Sequence, residues 1–411
     1  MLSEKEIIYI GQPYITTEDE KAKLCADITE GETVRTLYYE VDKKYKEYLC
    51  YERSDAFVAG LIHHAMNVGK NIVCKGVVTE QLLFQMRNFY IPVIAENMPD
   101  LQFISIEAES TSEALPTMKA VGTGNSGGID SFYTILRYMK ESNSYKLTHL
   151  VFNNISTEDD DENRIRQLFE RDKIEKENVA KELGLEAVSM YSNLYSFYAS
   201  HFIFNYYYAA QYTSAPYALA KLFSEYYYSS SYSIADFTVN HNKMSDGSNF
   251  DIFALSCLST RNINFYSTGG DVGRIEKTLY VSDNETVQRH LQVCAVEQNK
   301  DYYGKDGKQL NKLNCGKCKK CKRTITTLYG LGVLDKYSET FDLSFFEANK
   351  AKFIGYQLAA DLHEFTSEIR QMLKENGIMP RYTRLWEFLW RIRFALSKVK
   401  LLRNLYHKIK R

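Results

Sequence analysis

Gly122-Thr123-Gly124-Asn125-Ser126-Gly127-Gly128-Ile129-Asp130-Ser131 is the stretch on which the fold turns. The residues leading into it, MKAVGTGN, have the character of a buried strand, and Asp130–Lys140 follows as a helix. A Gly/Ser loop in that position presents unpaired helix N–H groups, and the positive end of the helix dipole, to an anion. Glycines let the backbone come close to phosphate oxygens. Ser126 and Ser131 add hydroxyl donors, and Asp130 offers the hard oxygen that Mg²⁺ prefers. The loop is not of the GxxxxGK[ST] type, and no GxGxxG follows a strand here. A plain strand-to-helix turn is the alternative. Five fixed residues give a chance match of about 10⁻⁴ to 10⁻³ in a chain this long, and the strand–loop–helix context lowers that further.

Outward from the loop the rhythm persists. LTHLVFNNIS reads as a strand, residues 160–183 as a long charged helix ended by Gly184, and EAVSMYS as a strand. YALAKLFSEY reads as a helix, YYYSSSYS as a strand, DIFALSCLS as a helix and INFYSTGG as a strand. Strands alternating with helices predict an α/β fold with a mainly parallel sheet over residues 116–335. Residues 1–115 read as a small separate α/β domain. Its predicted strands are EIIYI, VRTLYYEV, NIVCK and QFISIEAES; its helices follow Ser54-Asp55 and Thr79, the second interrupted near Pro92. Residues 336–411 read as a helical region broken at Asn376-Gly377 and Pro380.

The 411 residues are 45% hydrophobic and 25% charged, which fits a globular chain and excludes wholesale disorder. There is no run of about 20 apolar residues and no leader-like N-terminus, so the expectation is a cytoplasmic protein. Net charge is −1. Residues 381–411 hold ten Lys/Arg against one acid, a net of +9, which leaves −10 for the rest. Leu385, Phe388, Ile392, Ala395, Val399 and Leu402 recur there at helical spacing, beside Trp386 and Trp390. Such a helix can pack on its own domain with a basic outer face, or contact a membrane surface, RNA or a protein.

Four of the eight cysteines are scattered: Cys25, Cys50, Cys74 and Cys257. The other four, Cys294, Cys315, Cys318 and Cys321, are spaced C-x20-C-x2-C-x2-C. CxxC spacing brings thiolates to one metal, and four soft ligands suit tetrahedral Zn²⁺. An iron–sulfur cluster uses similar spacing and is the rival.

SGGIDS resembles the PP-loop of the N-type ATP pyrophosphatases, in the adenine-nucleotide α-hydrolase-like superfamily. The resemblance covers about residues 118–331. Within that group the chain is most similar to the 7-cyano-7-deazaguanine synthases, whose CGxCxxCxxR zinc site CGKCKKCKRT resembles, although the spacer after Cys294 is longer here. The resemblance implies a Rossmann-like (HUP-type) core binding ATP and Mg²⁺ at Gly124, Ser126, Gly127, Gly128, Asp130 and Ser131. Asn153 at a strand end, and Arg274 and Lys277 on one helix face, would assist. It implies adenylation of an acceptor carboxylate or amide oxygen, release of pyrophosphate, and displacement of AMP by a nitrogen nucleophile. Asp130, Ser126 and Ser131 would serve that chemistry, and zinc would be structural. The acceptor here would differ from that of the small synthase, because both flanking regions are additional. Sulfur transfer, with Cys257 as the thiol, is one alternative. A non-catalytic ATP-binding zinc module of a larger assembly, for example in defence, is another. His241, Asp246 and Asp251, in a polar loop before a helix, are further candidates for acceptor or Mg²⁺.

Overall fold

The computed structural model describes residues 6–155, 157, 161–198, 208–294, 312–360 and 364–398. They form an α/β structure with one mostly parallel sheet of eleven strands. The strands are β1 (Ile7–Ile10), β2 (Tyr14–Glu18), β3 (Lys21–Glu30), β4 (Thr33–Asp42), β5 (Asn71–Thr79), β6 (Ile106–Thr111), β7 (Ala120–Gly124), β8 (His149–Asn153), β9 (Glu186–Ser192), β10 (Phe223–Ser229) and β11 (Asn264–Thr268). Their order is β11-β10-β7-β8-β9-β4-β3-β1-β5-β6, with β2 paired to β3.

The five strands β11-β10-β7-β8-β9 are parallel throughout. In chain order they run fifth, fourth, first, second, third. The winding therefore reverses at β7, and such folds bind ligands at the carboxyl ends of the strands beside that reversal. Gly122 lets β7 lie close to β10, since a Cβ there would come within 2.7 Å of the Phe223 ring. The expected boundary near residue 115 falls between β6 and β7, yet the sheet runs on across it. β4 pairs antiparallel with β9, with Tyr39 opposite Ser192 and Val41 opposite Met190.

Three local differences from expectation have physical reasons. The strand β3 was not expected, although Ala22, Leu24, Ala26 and Ile28 alternate inward on it. A two-residue turn with Gly31 at φ +62° joins it to β4. The helix expected over YALAKLFSEY lies earlier, at Tyr208–Ala218, and Phe223 already begins β10. Nine of the eleven residues of that helix are buried, so no amphipathic period marks it. The helix after Thr79 continues through a π-turn at Met86–Tyr90, just before Pro92.

The chain divides into two compact units, residues 1–126 with 130–272, and residues 127–129 with 273–411. The first holds the whole sheet. The second is helical among its described residues, with helices Arg274–Ser282, Glu285–His290, Lys319–Gly330, Ser344–Ala360, Glu364–Glu375 and Thr383–Lys398. Its core includes Phe341, Phe346, Phe353, Ile354, Leu358 and Leu373. Gly355 allows Ser344–Ala360 and Thr383–Lys398 to touch, since a Cβ there would lie 2.6 Å from that of Trp386. Among the described residues no helix is long and apolar enough to cross a membrane.

Candidate phosphate loop and candidate metal centre

The loop begins where β7 ends at Gly124 and stops where the helix Ile129–Tyr138 starts. Gly127 has φ +78°, a left-handed backbone that a side chain would strain. The Ser131 hydroxyl donates to the Gly124 carbonyl at 2.7 Å and so closes the loop across the helix start. Ser126 is exposed at its tip, and Asp130 is half-buried on the first turn of the helix. Gly127–Ile129 belong to the second unit, where the Gln292 N–H donates to the Gly127 carbonyl at 2.8 Å.

Two side chains hold the loop that sequence reasoning missed. The Asn125 side chain, buried, donates to the Lys176 carbonyl at 3.1 Å. Lys176 is only 3% exposed, and its ammonium donates to the Ser126 carbonyl at 3.1 Å. It lies on the helix Glu162–Leu183 on the same buried face as Ile165, Phe169, Val179 and Ala180. A lysine in an apolar stripe was the available signal. Burial pulls its ammonium down from the usual 10.5 to about 8.

That shift has a sign. Between pH 8 and 10.5 the unfolded lysine carries the proton that the folded one sheds, so stability rises with pH through this window. Lys176→Met is expected to be more stable than wild type at pH 7, by about 1–3 kcal/mol. It should also flatten that rise, and thermal melts from pH 7 to 10.5 read both effects.

Asn153 and Asn154 end β8 differently. The Asn153 side chain accepts the Ile155 N–H at 3.3 Å, as a turn former does. Asn154 exchanges two hydrogen bonds with the Ser192 backbone, at 2.8 and 3.0 Å. It thus extends the β8–β9 ladder by a side chain. Arg274 and Lys277 start the helix Arg274–Ser282 in the second unit, Lys277 buried and the Arg274 guanidinium 5.3 Å from the Phe365 ring centre. They therefore fall in a different unit from Ser126, Asp130 and Ser131.

A cavity of 270 Å³ opens beyond the carboxyl ends of β10 and β11. Arg137, Ser230, Tyr232, Asp251, Thr268 and Asp271 are among its lining residues. Asp251 is buried and accepts the Ser267 hydroxyl at 2.9 Å. Arg137 and Asp271 pair at 2.8 Å. Tyr227 of β10 is in register with Thr123 of β7. Of the other loop candidates, Asp246 caps the short helix Gly247–Asn249, and His241 lies in a turn.

In the second unit, the four cysteine sulfurs lie within 4.8 Å of one another, and those of Cys315 and Cys321 are 3.9 Å apart. Tetrahedral thiolates on zinc, with Zn–S about 2.3 Å, stand about 3.8 Å apart, so the set can hold a metal such as zinc. The Lys317 and Cys318 N–H groups donate to the Cys315 sulfur at 3.4 and 3.3 Å. Cys318 caps the helix Lys319–Gly330, and its sulfur accepts the Cys321 N–H at 3.4 Å. Backbone donors and a helix N-terminus both favour thiolate. The crowded sulfurs share protons unequally. Hydrogen bonds from Cys294 and its neighbours hold Cys315 and Cys318 low, while Cys294 and Cys321 are pushed up.

Asn314 braces this centre and was also missed. It is buried, accepts the Val293 and Cys294 N–H groups at 2.8 and 3.1 Å, and donates to the Leu291 and Thr340 carbonyls at 2.7 and 3.2 Å. Asn314→Ala strands three backbone groups, since the Thr340 carbonyl keeps the Asn314 backbone N–H at 3.1 Å, and is expected to cost about 2–4 kcal/mol. Denaturant unfolding of the metal-loaded chain measures it; a change under about 0.5 kcal/mol would remove the brace from the account.

Compared with family models, with curated proteins and with solved structures, the chain gives no match.

Proposed function

We propose that the chain is an ATP-dependent adenylating enzyme. The observation that carries this is the placement of the Gly/Ser loop at the strand where a parallel core reverses its winding, with a buried lysine held against it. In this account the loop N–H groups and Lys176 neutralise the phosphates of ATP. Asp130 would hold Mg²⁺, which would supply further positive charge at the phosphates. The acceptor's carboxylate or amide oxygen attacks the α-phosphorus, the bond to the bridging oxygen breaks, and pyrophosphate leaves. With a carboxylate acceptor, ammonia then adds at the activated carbon, the carbon–oxygen bond breaks, and AMP leaves with an amide and a proton. With an amide acceptor, the activated amide already carries its nitrogen, which loses a proton as the carbon–oxygen bond breaks, so that AMP leaves and a nitrile forms. Positioning and charge stabilisation suffice for the first step, so no protein nucleophile is needed.

The cavity beyond β10 and β11 is where the acceptor would sit, one strand away from the loop strand. Arg137, Asp251 and Asp271 leave its walls with one net negative charge, which favours a neutral or cationic body on the acceptor. Sulfur transfer through Cys257 is less well supported, because burial pushes that thiol up to about 11 and keeps it protonated at neutral pH. The four-cysteine centre would be structural, since its sulfurs already supply a full tetrahedral set.

The test is the nucleotide product. The chain, incubated with ATP, Mg²⁺ and panels of carboxylate and amide acceptors, should release AMP and pyrophosphate in equal amounts. ADP and phosphate would place it in another class.

A further inference from the structure

The helix Thr383–Lys398 turns its two faces in the opposite sense to the one expected from packing on its own domain. Trp386 lies against Gly355, and Trp390 lies edge-on to Tyr356 at 5.0 Å between ring centres. Glu387 anchors the same inner side through Arg370 at 2.7 and 2.8 Å and Arg391 at 2.9 Å. Five other large apolar residues point outward. Leu385 is 53% exposed, Phe388 60%, Leu389 44%, Ile392 41% and Leu396 49%. Their spacing, i, i+3, i+4, i+7 and i+11, places them on one stripe along the helix. At about 100° per residue, Arg384 flanks one side of that stripe and Arg393 the other. Residues 399–411 continue the sequence with five more Lys/Arg and no acid.

We propose that this stripe docks on an anionic lipid bilayer surface, with the helix lying in the interface. The chemistry selects the occupant. A nucleic acid offers charge but nothing apolar to cover five large side chains. A protein partner in fixed register is selected by charges of both signs, and here the flanking charges are all positive. An anionic membrane offers one sign of charge above an apolar interior, and the arginines can reach up to its headgroups while the stripe sinks below them.

Co-sedimentation of the full chain with phosphatidylcholine vesicles, with and without phosphatidylserine, tests this at low and high salt. Binding should require phosphatidylserine and weaken with salt. Phe388→Asp with Ile392→Asp should weaken it at least about tenfold, and Arg384→Glu with Arg393→Glu should remove the dependence on phosphatidylserine. These side chains are exposed, so melting temperature and ATP turnover should not change. Equal recovery with both vesicle types overturns the proposal. So does light scattering that shows a dimer of the wild-type chain and a monomer of the Phe388→Asp/Ile392→Asp chain, which would place a second copy on the stripe.

Discussion

Asp130→Asn is expected to slow pyrophosphate release by about 10²–10³-fold, the loss typical of removing one charge-stabilising group from a reacting centre. The substitution keeps the shape of the side chain and removes its charge. Asp130 is half-buried on the first turn of the helix Ile129–Tyr138, so the fold should survive and melting should be unchanged. The effect should depend on metal. In Mg²⁺ the variant should bind ATP more weakly than wild type, and in chelator the two should converge. A variant that turns over at the wild-type rate would remove Asp130 from the mechanism, and with it the strongest reason to link this loop to magnesium and pyrophosphate.

Metal analysis of the purified chain should return close to one zinc per chain, and Cys321→Ser should abolish it. Cys321 is fully buried on the first turn of Lys319–Gly330, so its loss removes a ligand and leaves three crowded sulfurs. Structural zinc contributes about 10–16 kcal/mol of apparent binding free energy in small zinc modules. That is comparable with the whole stability of an ordinary domain, about 5–15 kcal/mol, so the variant, or strong chelation, should unfold this region. Cys257→Ser serves as the control and should leave the zinc in place. Iron with acid-labile sulfide in place of zinc would make this a redox centre and overturn the structural assignment.

The two candidate centres were legible because each is written in a short run. The loop occupies residues 124–131, and three of the four sulfurs fall within residues 315–321. What supports them was not, because it arrives from elsewhere in the chain. Lys176 reaches Ser126 across fifty residues, and Asn314 reaches Leu291 and Thr340 on either side. The cavity draws on Arg137, Ser230, Asp251 and Asp271, which only the parallel core brings together. The α/β class and the parallel core followed from alternating strand and helix patterns. The antiparallel strand β3 had a readable period in Ala22, Leu24, Ala26 and Ile28 alternating with Lys23, Asp27 and Thr29, but two of its four inward positions are alanine, a weak strand former. The helix Tyr208–Ala218 had no period to read, being buried on nearly every side. For the basic tail, spacing identified a helix that the described residues show over Thr383–Lys398, Val399 and Leu402 lying outside them, but not which side faces inward. That was decided by the fit of Trp386 at Gly355 and by the Arg370–Glu387 pair.

The proposed function stands or falls on whether the loop at residues 124–131 binds nucleotide phosphates. Calorimetric titration of the full chain with a non-hydrolysable ATP analogue and Mg²⁺ tests it without knowledge of the acceptor. One site per chain is expected, weakened by Lys176→Met and abolished by Gly127→Val, whose side chain cannot take φ +78° without strain. Binding that is absent in wild type, or unchanged in Gly127→Val, would contradict it.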